Sequence, residues 1–309
     1  MRRAATVVLT GGLLLTVSPL ATPAQAAAKP KPPTLTSAGA YLIDFKTGKR
    51  LYTKGDGVRR EMASTTKIAT AITVLTTPGI KLDRKVTIKQ AYRDYVTREG
   101  GSTADLKTGD KLTIRQLLSG LMLPSGCDAA YALADAVGKG STTAARTKSF
   151  IGMMNKKAAS LKLKNTKFDS FDGISAGGQN YTTASELTKL AQHAFGNATF
   201  RDVVKAKIYK ATAPTSAGKK RYYTWENTNK LLGSYSGAVG MKTGTGTKAG
   251  PCLVFAATRG SKTYVGVILK GKSVPERYKD AAKLLDYGFG SSTAKTMKLR
   301  QLSPNAQQD

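Results

Sequence analysis

Ser64-Thr65-Thr66-Lys67 places a serine and a lysine three residues apart at the start of an amphipathic segment. The apolar residues Ile68 and Ile72 follow at the spacing of one helical face, which predicts a helix. Residues three apart on a helix are neighbours, so the Lys67 side chain can reach the Ser64 hydroxyl. A serine in the first helical turn also lies at the positive end of the helix dipole, which favours a developing negative charge. The segment therefore predicts a serine nucleophile with a lysine as its base.

Two further motifs follow in order along the chain. Ser125-Gly126-Cys127 comes between two helical patterns, and Lys242-Thr243-Gly244 lies in a strand-like region. Each motif alone has a simpler explanation: a capped helix with a solvated lysine for the first, a β-turn or an edge lysine for the last. Their order and separation, however, resemble the set S-x-x-K, S-D-N and K-T-G of serine β-lactamases and penicillin-binding proteins.

The start of the chain has the pattern of a secretory signal peptide. A basic beginning is followed by an apolar run over residues 4–20 and by Ala24-Gln25-Ala26, whose small residues suit cleavage. We expect residues 1–26 to be removed and residues 27–37 to form a flexible leader. An uncleaved membrane anchor is the alternative, but the run is short and interrupted, and no other segment is long enough to span a bilayer. The protein is therefore predicted to be exported and soluble or wall-associated.

The charge of the chain is strongly basic. Its 309 residues include 49 lysines and arginines against 19 acidic residues, giving a formal net charge of +30. Export makes nucleic acid an improbable partner, so an anionic cell-wall polymer is the better candidate for this charge. The alternative is that the excess lysines only form a solvated surface. We expect no nucleic-acid partner, and we expect a monomer.

The cysteines and the single histidine exclude several chemistries. Cys127 and Cys252 permit one disulfide in an exported protein, but Cys127 belongs to the middle motif and Cys252 begins an apolar strand, which favours two free thiols. His193 lies near the end of a helical segment, and no G-x-S-x-G elbow offers it a serine. One histidine and two distant cysteines do not make a zinc site, and no nucleotide-binding glycine loop is present. We predict no metal and no cofactor.

The remaining pattern predicts a mixed α/β (α+β) fold. Helical periodicity dominates the middle of the chain, with a capping box expected at Thr183 and Glu186. Strand-like segments lie near both ends, at residues 38–52, 85–89, 240–245, 252–258 and 263–269, before a last helix at 275–289.

These elements suggest two domains. We predict an antiparallel sheet flanked by helices from residues 38–80 and 205–290, an all-helical domain inserted at 81–204, and a flexible tail at 291–309. A cleft between the domains would collect the three motifs.

The chemistry of the three motifs is consistent with acyl transfer. A lysine acts as a base only when it is deprotonated, and burial together with a second nearby cation favours that form. Lys242 can supply the second cation for Lys67, and Ser125 can relay a proton to the leaving amine. Amide N–H groups of Ser64 and Thr245 are candidates to stabilise the oxyanion. Lys242, together with the hydroxyls of Thr243 and Thr245, suits the capture of a substrate carboxylate.

The quoted motifs identify a family resemblance. From about residue 38 to 289 the chain resembles the serine D-alanyl-D-alanine carboxypeptidases and transpeptidases, the low-molecular-mass penicillin-binding proteins. It is most similar to small exported DD-transpeptidases that carry cysteine where Cys127 stands. The resemblance implies the penicillin-binding-protein/β-lactamase fold and a site in the cleft. It also implies acylation of Ser64 by a peptidoglycan stem peptide ending in D-Ala-D-Ala, release of D-Ala, transfer to an amine or water, and covalent inhibition by β-lactams.

Two departures from the family pattern affect the site. Most relatives have asparagine at the place of Cys127, and a thiol is a weaker hydrogen-bonding group than an amide. The segment from residue 168 to 174 occupies the place of an Asn-Pro-His-Gly loop. Within it, Asp172 is either a polar partner near the site or an aspartate that stabilises the turn before Gly173.

Three functions compete at this level. A DD-peptidase is the leading interpretation. A β-lactamase of the same fold is disfavoured because the chain has no clear equivalent of the carboxylate that deacylates class A enzymes. A non-catalytic, cationic wall-binding protein is disfavoured by the intact Ser64 and Lys67 pair.

Overall fold

The structure is a computed structural model in which residues 1, 4–6 and 31–307 are described. The predicted signal peptide therefore lies almost entirely outside the described residues, as does the beginning of the leader. From residue 31 onward the chain belongs to one compact unit. Among the described residues, no helix is both long and apolar enough to cross a membrane.

Strands from both ends of the chain share one sheet. In chain order the strands are β1 (Gly39–Asp44), β2 (Arg50–Lys54), β3 (Arg60–Glu61), β4 (Lys85–Thr87), β5 (Lys111–Thr113), β6 (Tyr181–Thr182), β7 (Ile208–Pro214), β8 (Lys220–Glu226), β9 (Ala238–Gly244), β10 (Cys252–Arg259) and β11 (Lys262–Leu269). The main sheet has five strands in the order β2-β1-β11-β10-β9, all paired antiparallel. Separate two-stranded pairs are β3 with β6, β4 with β5, and β7 with β8. The predicted antiparallel sheet from both chain ends is confirmed.

Helices fill the middle of the chain and close its C-terminal part. They are α1 (Lys67–Leu75), α2 (Gln90–Glu99), α3 (Ile114–Met122), α4 (Cys127–Val137), α5 (Thr143–Ser160), α6 (Ala184–Phe195), α7 (Ala198–Lys205) and α8 (Val274–Phe289), with 3₁₀ turns at Ala63–Thr66 and Thr293–Lys295. Apart from the offset at the Ser64 turn described below, the predicted helical middle of the chain and the last helix, expected at 275–289, are confirmed, whereas α2 and α7 were not predicted.

The interior strand β10 shows why the sheet is covered on both faces. Its side chains alternate between two apolar cores, as the two-residue period of a strand requires. Val254 and Ala256 belong to the core that includes α6, whereas Leu253 and Phe255 belong to the core that includes α8. Burial on both faces explains why the sequence of this strand is a continuous apolar run. The sheet therefore lies between α8 on one face and the helices that include α6 on the other face.

The predicted capping box at the start of α6 is only half formed. The Thr183 hydroxyl accepts from the Glu186 amide, as expected of an N-cap. The Glu186 carboxylate instead accepts from the Asn165 amide at 2.9 and 3.0 Å. A tertiary contact with the preceding loop thus replaces the local one, and a complete capping box is found at Thr113 and Gln116, before α3.

The leader and the tail both make contacts with the folded unit. The amides of Thr36 and Ser37 donate to the Asp280 carboxylate at 2.9 and 2.8 Å. In the tail, the Ser303 amide donates to Glu226 at 2.9 Å. The predicted flexibility of these segments and the division of the chain into a sheet domain and an inserted helical domain stay predictions.

Candidate active site

The turn that carries Ser64 precedes the helix rather than opening it. Ser64 lies in the 3₁₀ turn Ala63–Thr66, and α1 begins only at Lys67. The sequence predicted Ser64 in the first α-helical turn. The Thr65 hydroxyl donates to the Met62 carbonyl at 2.6 Å, a local bond of the kind that competes with regular helix. The turn leaves Ser64 partly exposed while Lys67 is buried.

Lys67 lies at the centre of the site. Its Nζ lies 2.9 Å from Ser64 Oγ, 3.0 Å from the Asp172 carbonyl oxygen and 3.4 Å from Cys127 Sγ. Three polar atoms from separate parts of the chain therefore surround this nitrogen and fix its position. The predicted contact between Ser64 and Lys67 is present. The serine hydroxyl is therefore within proton-transfer distance of a fully buried lysine.

Cys127 packs beside Lys67 as a protonated thiol. Burial raises the pKa of Cys127 to about 11, against the opposite effect of the nearby Lys67. At neutral pH the group is therefore a neutral, weak hydrogen-bonding side chain and not a thiolate. Both Cys127 and Cys252 are free, as predicted.

Ser125 is held in an uncommon backbone conformation. Its φ is +65°, a value that non-glycine residues seldom adopt. The Ser102 hydroxyl donates to the Ser125 carbonyl at 2.7 Å, and the Cys127 amide donates to the Ser102 carbonyl at 2.8 Å. The Ser125 Oγ is buried and has no hydrogen-bond partner among the described residues. A buried, unpaired hydroxyl next to Cys127 is available to a substrate or to a proton in transit.

Strand β9 brings the third motif against the Ser64 turn. A Cβ atom on Gly244 would lie 2.9 Å from the Ser64 amide nitrogen, so only glycine allows this approach. Side chains two residues apart on a strand leave the same face. Lys242 therefore projects from β9 toward the side on which Ser64 lies, and its side chain is buried.

Lys242 and Thr243 make contacts within and beyond their strand. The Lys242 Nζ donates to the Thr243 carbonyl at 3.0 Å and to the Thr243 hydroxyl at 3.4 Å. The Thr243 hydroxyl also lies 2.7 Å from the Thr228 hydroxyl. Thr243 is buried, so its hydroxyl supports Lys242 rather than facing solvent.

Thr245 follows the third motif and contacts Arg277 of α8. Thr245 is exposed, and its hydroxyl accepts from Arg277 Nη1 at 3.0 Å. The same nitrogen donates to the Gly244 carbonyl at 3.1 Å. Arg277 is buried in α8 and adds a cation next to the predicted carboxylate-binding residues.

Asp172 reaches the site through its main chain. Its carbonyl accepts from Lys67, while its carboxylate accepts from the Tyr95 hydroxyl at 2.8 Å and from the Ile174 amide at 3.0 Å. Both readings of Asp172 are therefore correct: it stabilises a turn and contacts the site. Burial, and secondly the Asp172 charge, raise the pKa of Tyr95, so its hydroxyl stays protonated and donates.

The loop that carries Asp172 also packs tightly on the Ser64 turn. Gly173 has φ +100°, and a Cβ atom there would lie 2.0 Å from the Ala63 carbonyl oxygen. Glycine is thus required at this position for the loop to contact the Ser64 turn.

The other titratable candidates lie elsewhere. His193 is exposed near the end of α6, and partial desolvation of its ring, followed by the charge of Lys157, lowers its pKa. Within the described part of the chain, no group of three or more His, Cys, Asp or Glu side chains is arranged to hold a metal ion.

Sequence reasoning missed three residues that contact the site. Tyr95, Arg277 and Thr228 lie far from the motifs along the chain and act through tertiary contacts. The sequence contained one weak indication for Arg277, which is a charged residue directly before the apolar position Tyr278 of the last helix. Tyr95 and Thr228 gave none.

Comparison with known proteins assigns the family. A sequence profile described as D-alanyl-D-alanine carboxypeptidase matches residues 25–273. The chain belongs to this family of serine peptidases. One member, the D-alanyl-D-alanine carboxypeptidase of Streptomyces sp. strain K15, is 56% identical over 291 residues, covering 94% of this chain and 99% of that relative. Another, DacF of Bacillus subtilis, is 30% identical over 293 residues, covering 94% of this chain and 71% of the relative.

Solved structures of family members share the fold. The crystal structure of the Streptomyces K15 DD-transpeptidase matches with a TM-score of 0.83 at 56% identity, covering 84% of this chain and 99% of the other. The D-alanyl-D-alanine carboxypeptidase of Mycobacterium tuberculosis H37Rv matches with a TM-score of 0.74 at 28% identity, covering 92% and 98%. The predicted penicillin-binding-protein fold is confirmed.

Proposed function

We propose that this protein is a serine DD-peptidase acting on peptidoglycan stem peptides that end in D-Ala-D-Ala. The observation that carries the proposal is the 2.9 Å contact between the buried Lys67 Nζ and the partly exposed Ser64 Oγ. Membership of the D-alanyl-D-alanine carboxypeptidase family supports it. The names of the Streptomyces K15 relative, carboxypeptidase and DD-transpeptidase, point to both possible fates of the acyl group.

Acylation uses the groups around Ser64. The Ser64 Oγ attacks the carbonyl carbon of the penultimate D-Ala while its proton passes to the deprotonated Lys67 amine. The amide N–H groups of Ser64 and Thr245 are the candidates to stabilise the negative charge on the carbonyl oxygen. The C–N bond then breaks, and the amine of the terminal D-Ala leaves with a proton passed from Lys67 through the Ser125 hydroxyl. The products are free D-Ala and an ester on Ser64.

The substrate carboxylate has a cationic place to bind. Lys242 and Arg277 are both buried close to the third motif, and Thr245 offers an exposed hydroxyl between that motif and solvent. Charge-assisted hydrogen bonds of this kind contribute more than neutral ones, which favours a substrate with a free C-terminus. The same groups suit the carboxylate of a β-lactam, which we propose to be a covalent inhibitor.

The second half-reaction transfers the acyl group. An amine or a water attacks the Ser64 ester and its proton passes to Lys67. The ester C–O bond then breaks, and Lys67 returns the proton to Ser64 Oγ to restore the serine. The Asp172 carboxylate is bound by Tyr95 and by the Ile174 amide, so it is not positioned as a base for water. We propose that hydrolysis is slow and that transfer to an amine, transpeptidation, exceeds carboxypeptidation. The same argument disfavours a β-lactamase.

The test is a product analysis with a D-Ala-D-Ala peptide, with and without glycine-type amines. We expect release of D-Ala and a ratio of transferred to hydrolysed product that rises with amine concentration. A ratio near zero at high amine would show a carboxypeptidase only. Absence of D-Ala release from the wild-type enzyme would refute the proposed function.

The place of action follows from the first residues and the charge. We propose export through the signal peptide of residues 1–26 and action at the cell wall, as a monomer, in peptidoglycan synthesis or remodelling. The net charge of +30 supports an additional attraction to anionic wall polymers and does not require nucleic acid. Size-exclusion chromatography of the mature protein and its retention on cell walls at rising salt would test these points.

A further inference from the structure

Thr228 lies where three parts of the site meet. It is 2% exposed and follows β8. Its amide donates to the Leu123 carbonyl at 3.1 Å, its hydroxyl lies 2.7 Å from the Thr243 hydroxyl, and its carbonyl accepts from the Tyr278 hydroxyl at 3.2 Å. One buried residue thus joins the segment before the second motif, the third motif, and the helix that carries Arg277.

Two of these contacts lie one or two residues from proposed catalytic groups. Leu123 precedes Ser125 by two residues, with a proline of fixed φ between them. Thr243 follows Lys242 directly, and its hydroxyl accepts from Lys242 Nζ at 3.4 Å. The path from Ser125 to Lys242 through Thr228 is therefore short.

The segment that carries Thr228 is fixed on both sides. The Asn227 side chain accepts from the Asn229 amide at 3.0 Å and donates to the Val204 carbonyl at 3.2 Å. The Asn229 side chain accepts from the Leu231 amide at 3.0 Å. Side chains of this type stabilise turns by bonding to nearby backbone, so Thr228 is presented by a preorganised support.

We propose that Thr228 is a positioning residue that holds the Ser125 loop and the Lys242 strand in register for acylation, an inference that rests on the proposed function. The Thr243 hydroxyl accepts from Lys242 Nζ and shares a hydrogen bond with the Thr228 hydroxyl, in which either hydroxyl can donate. Removal of the Thr228 hydroxyl leaves the buried Thr243 hydroxyl without this hydrogen-bond partner, and the Thr243 side chain then reorients. One of the contacts that position Lys242 relative to Ser125 is thereby changed.

The experiment measures the acylation rate constant at saturating β-lactam, the β-lactam dissociation constant and the thermal midpoint for matched variants. Displacement of a catalytic group by about 1 Å can lower the reaction rate about 10²-fold. We therefore expect the Thr228→Val variant to acylate about 10- to 100-fold more slowly than wild type. Thr228→Ser keeps the hydroxyl and its hydrogen bond to Thr243, so its acylation rate constant should stay within about threefold of wild type.

Thr258→Val is the matched control. Thr258 and Thr263 form a similar hydroxyl pair at 2.8 Å, at the end of β10 away from Cys252. This variant should lose stability without a change in the acylation rate constant. The proposal is overturned if Thr228→Val acylates like wild type, or if Thr258→Val slows acylation equally.

A second variant covers the case in which Thr228→Val does not fold. Thr243→Val removes the other member of the same contact, and it should slow acylation in the same way. A Thr243→Val enzyme with wild-type acylation would also overturn the proposal. If the wild-type enzyme itself forms no ester, the proposed function has failed instead, so the two failures are distinguishable.

Discussion

Lys67 and Lys242 are chemically identical side chains in two different surroundings. Both are almost completely buried, with 0% and 1% of their surface exposed. The Lys67 Nζ lies 2.9 Å from the Ser64 hydroxyl, whereas the Lys242 Nζ donates to the carbonyl and hydroxyl of Thr243, the next residue on its own strand. The difference supports the proposal that Lys67 exchanges the proton with Ser64 and that Lys242 binds the substrate carboxylate.

The two surroundings arise from different backbone geometry. Lys67 begins α1, directly after the turn of Ser64, so their contact is local. Lys242 lies on β9, an edge strand of the main sheet, and its closeness to Ser64 depends on the approach allowed by Gly244. A 3₁₀ turn and the start of a helix thus position Lys67, the proposed base, and packing of a strand against that turn positions Lys242.

The largest effect is expected for Lys67→Ala. Without Lys67 the Ser64 proton has no acceptor of comparable position, and loss of a general base usually costs ~10²–10⁴ in rate. Stopped-flow measurement of acylation by a fluorescent penicillin would give the rate constant. Acylation of this variant at nearly the wild-type rate would show that the base is another group.

A smaller effect of another kind is expected for Lys242→Ala. Loss of a charge-assisted hydrogen bond to the substrate carboxylate costs about 1.5–3 kcal/mol, or roughly 10- to 100-fold in kcat/KM. Peptides with a free C-terminus should be affected more than the same peptides with a C-terminal amide. Equal losses in kcat/KM for both peptides would show that Lys242 does not bind the substrate carboxylate. The proposed difference between Lys242 and Lys67 would then be wrong.

Tyr95→Phe tests the support behind Lys67. The Tyr95 hydroxyl holds the Asp172 carboxylate, and the Asp172 carbonyl accepts from Lys67. We expect acylation to slow by up to about tenfold, since a lost hydrogen bond to a charged group is worth about 1.5–3 kcal/mol and only part of it reaches Lys67.

Tyr92→Phe is the control for this variant, on the same helix. Tyr92 donates to the buried Asp135 at 2.6 Å, away from the three motifs. It should lower the thermal midpoint and leave acylation unchanged. Equal slowing by both variants would show that destabilisation of α2, rather than the position of Lys67, is responsible.

The smallest effect is expected for Cys127→Asn. The thiol contacts Lys67 at 3.4 Å and stays protonated below its raised pKa of about 11, so it adds no charge between pH 6 and 8. An amide is a stronger hydrogen-bonding group and should shift the ratio of transferred to hydrolysed product by a few-fold, roughly 1 kcal/mol. An unchanged ratio, measured at fixed amine concentration, would show that Cys127 only packs.

Much of this site could be predicted from the sequence because the residues involved are close together along the chain. The contact of Lys67 with Ser64 depends on three-residue spacing, and the strands β10 and β11 follow from apolar runs with a turn between them. Gly244 and Gly173 were visible as glycines, but their close approaches to the Ser64 turn became apparent only in three dimensions.

The contacts of Tyr95 and Thr228 could not be predicted from the sequence because they join segments that are far apart along the chain. Tyr95 and Asp172 are 77 residues apart, and Thr228 and Leu123 are separated by an even longer stretch of chain. Neither pair has a spacing that secondary structure imposes. The 3₁₀ form of the Ser64 turn was missed for a related reason, since helical periodicity does not separate a tight turn from the helix it precedes.

The central claim is that Ser64 is the acylated nucleophile. Intact-mass analysis after incubation with benzylpenicillin, followed by peptide mapping, tests it most directly. The account predicts one adduct per chain, on a peptide that contains Ser64, and none in the Ser64→Ala variant. An adduct on another peptide, or no adduct on the folded wild-type enzyme, would contradict it.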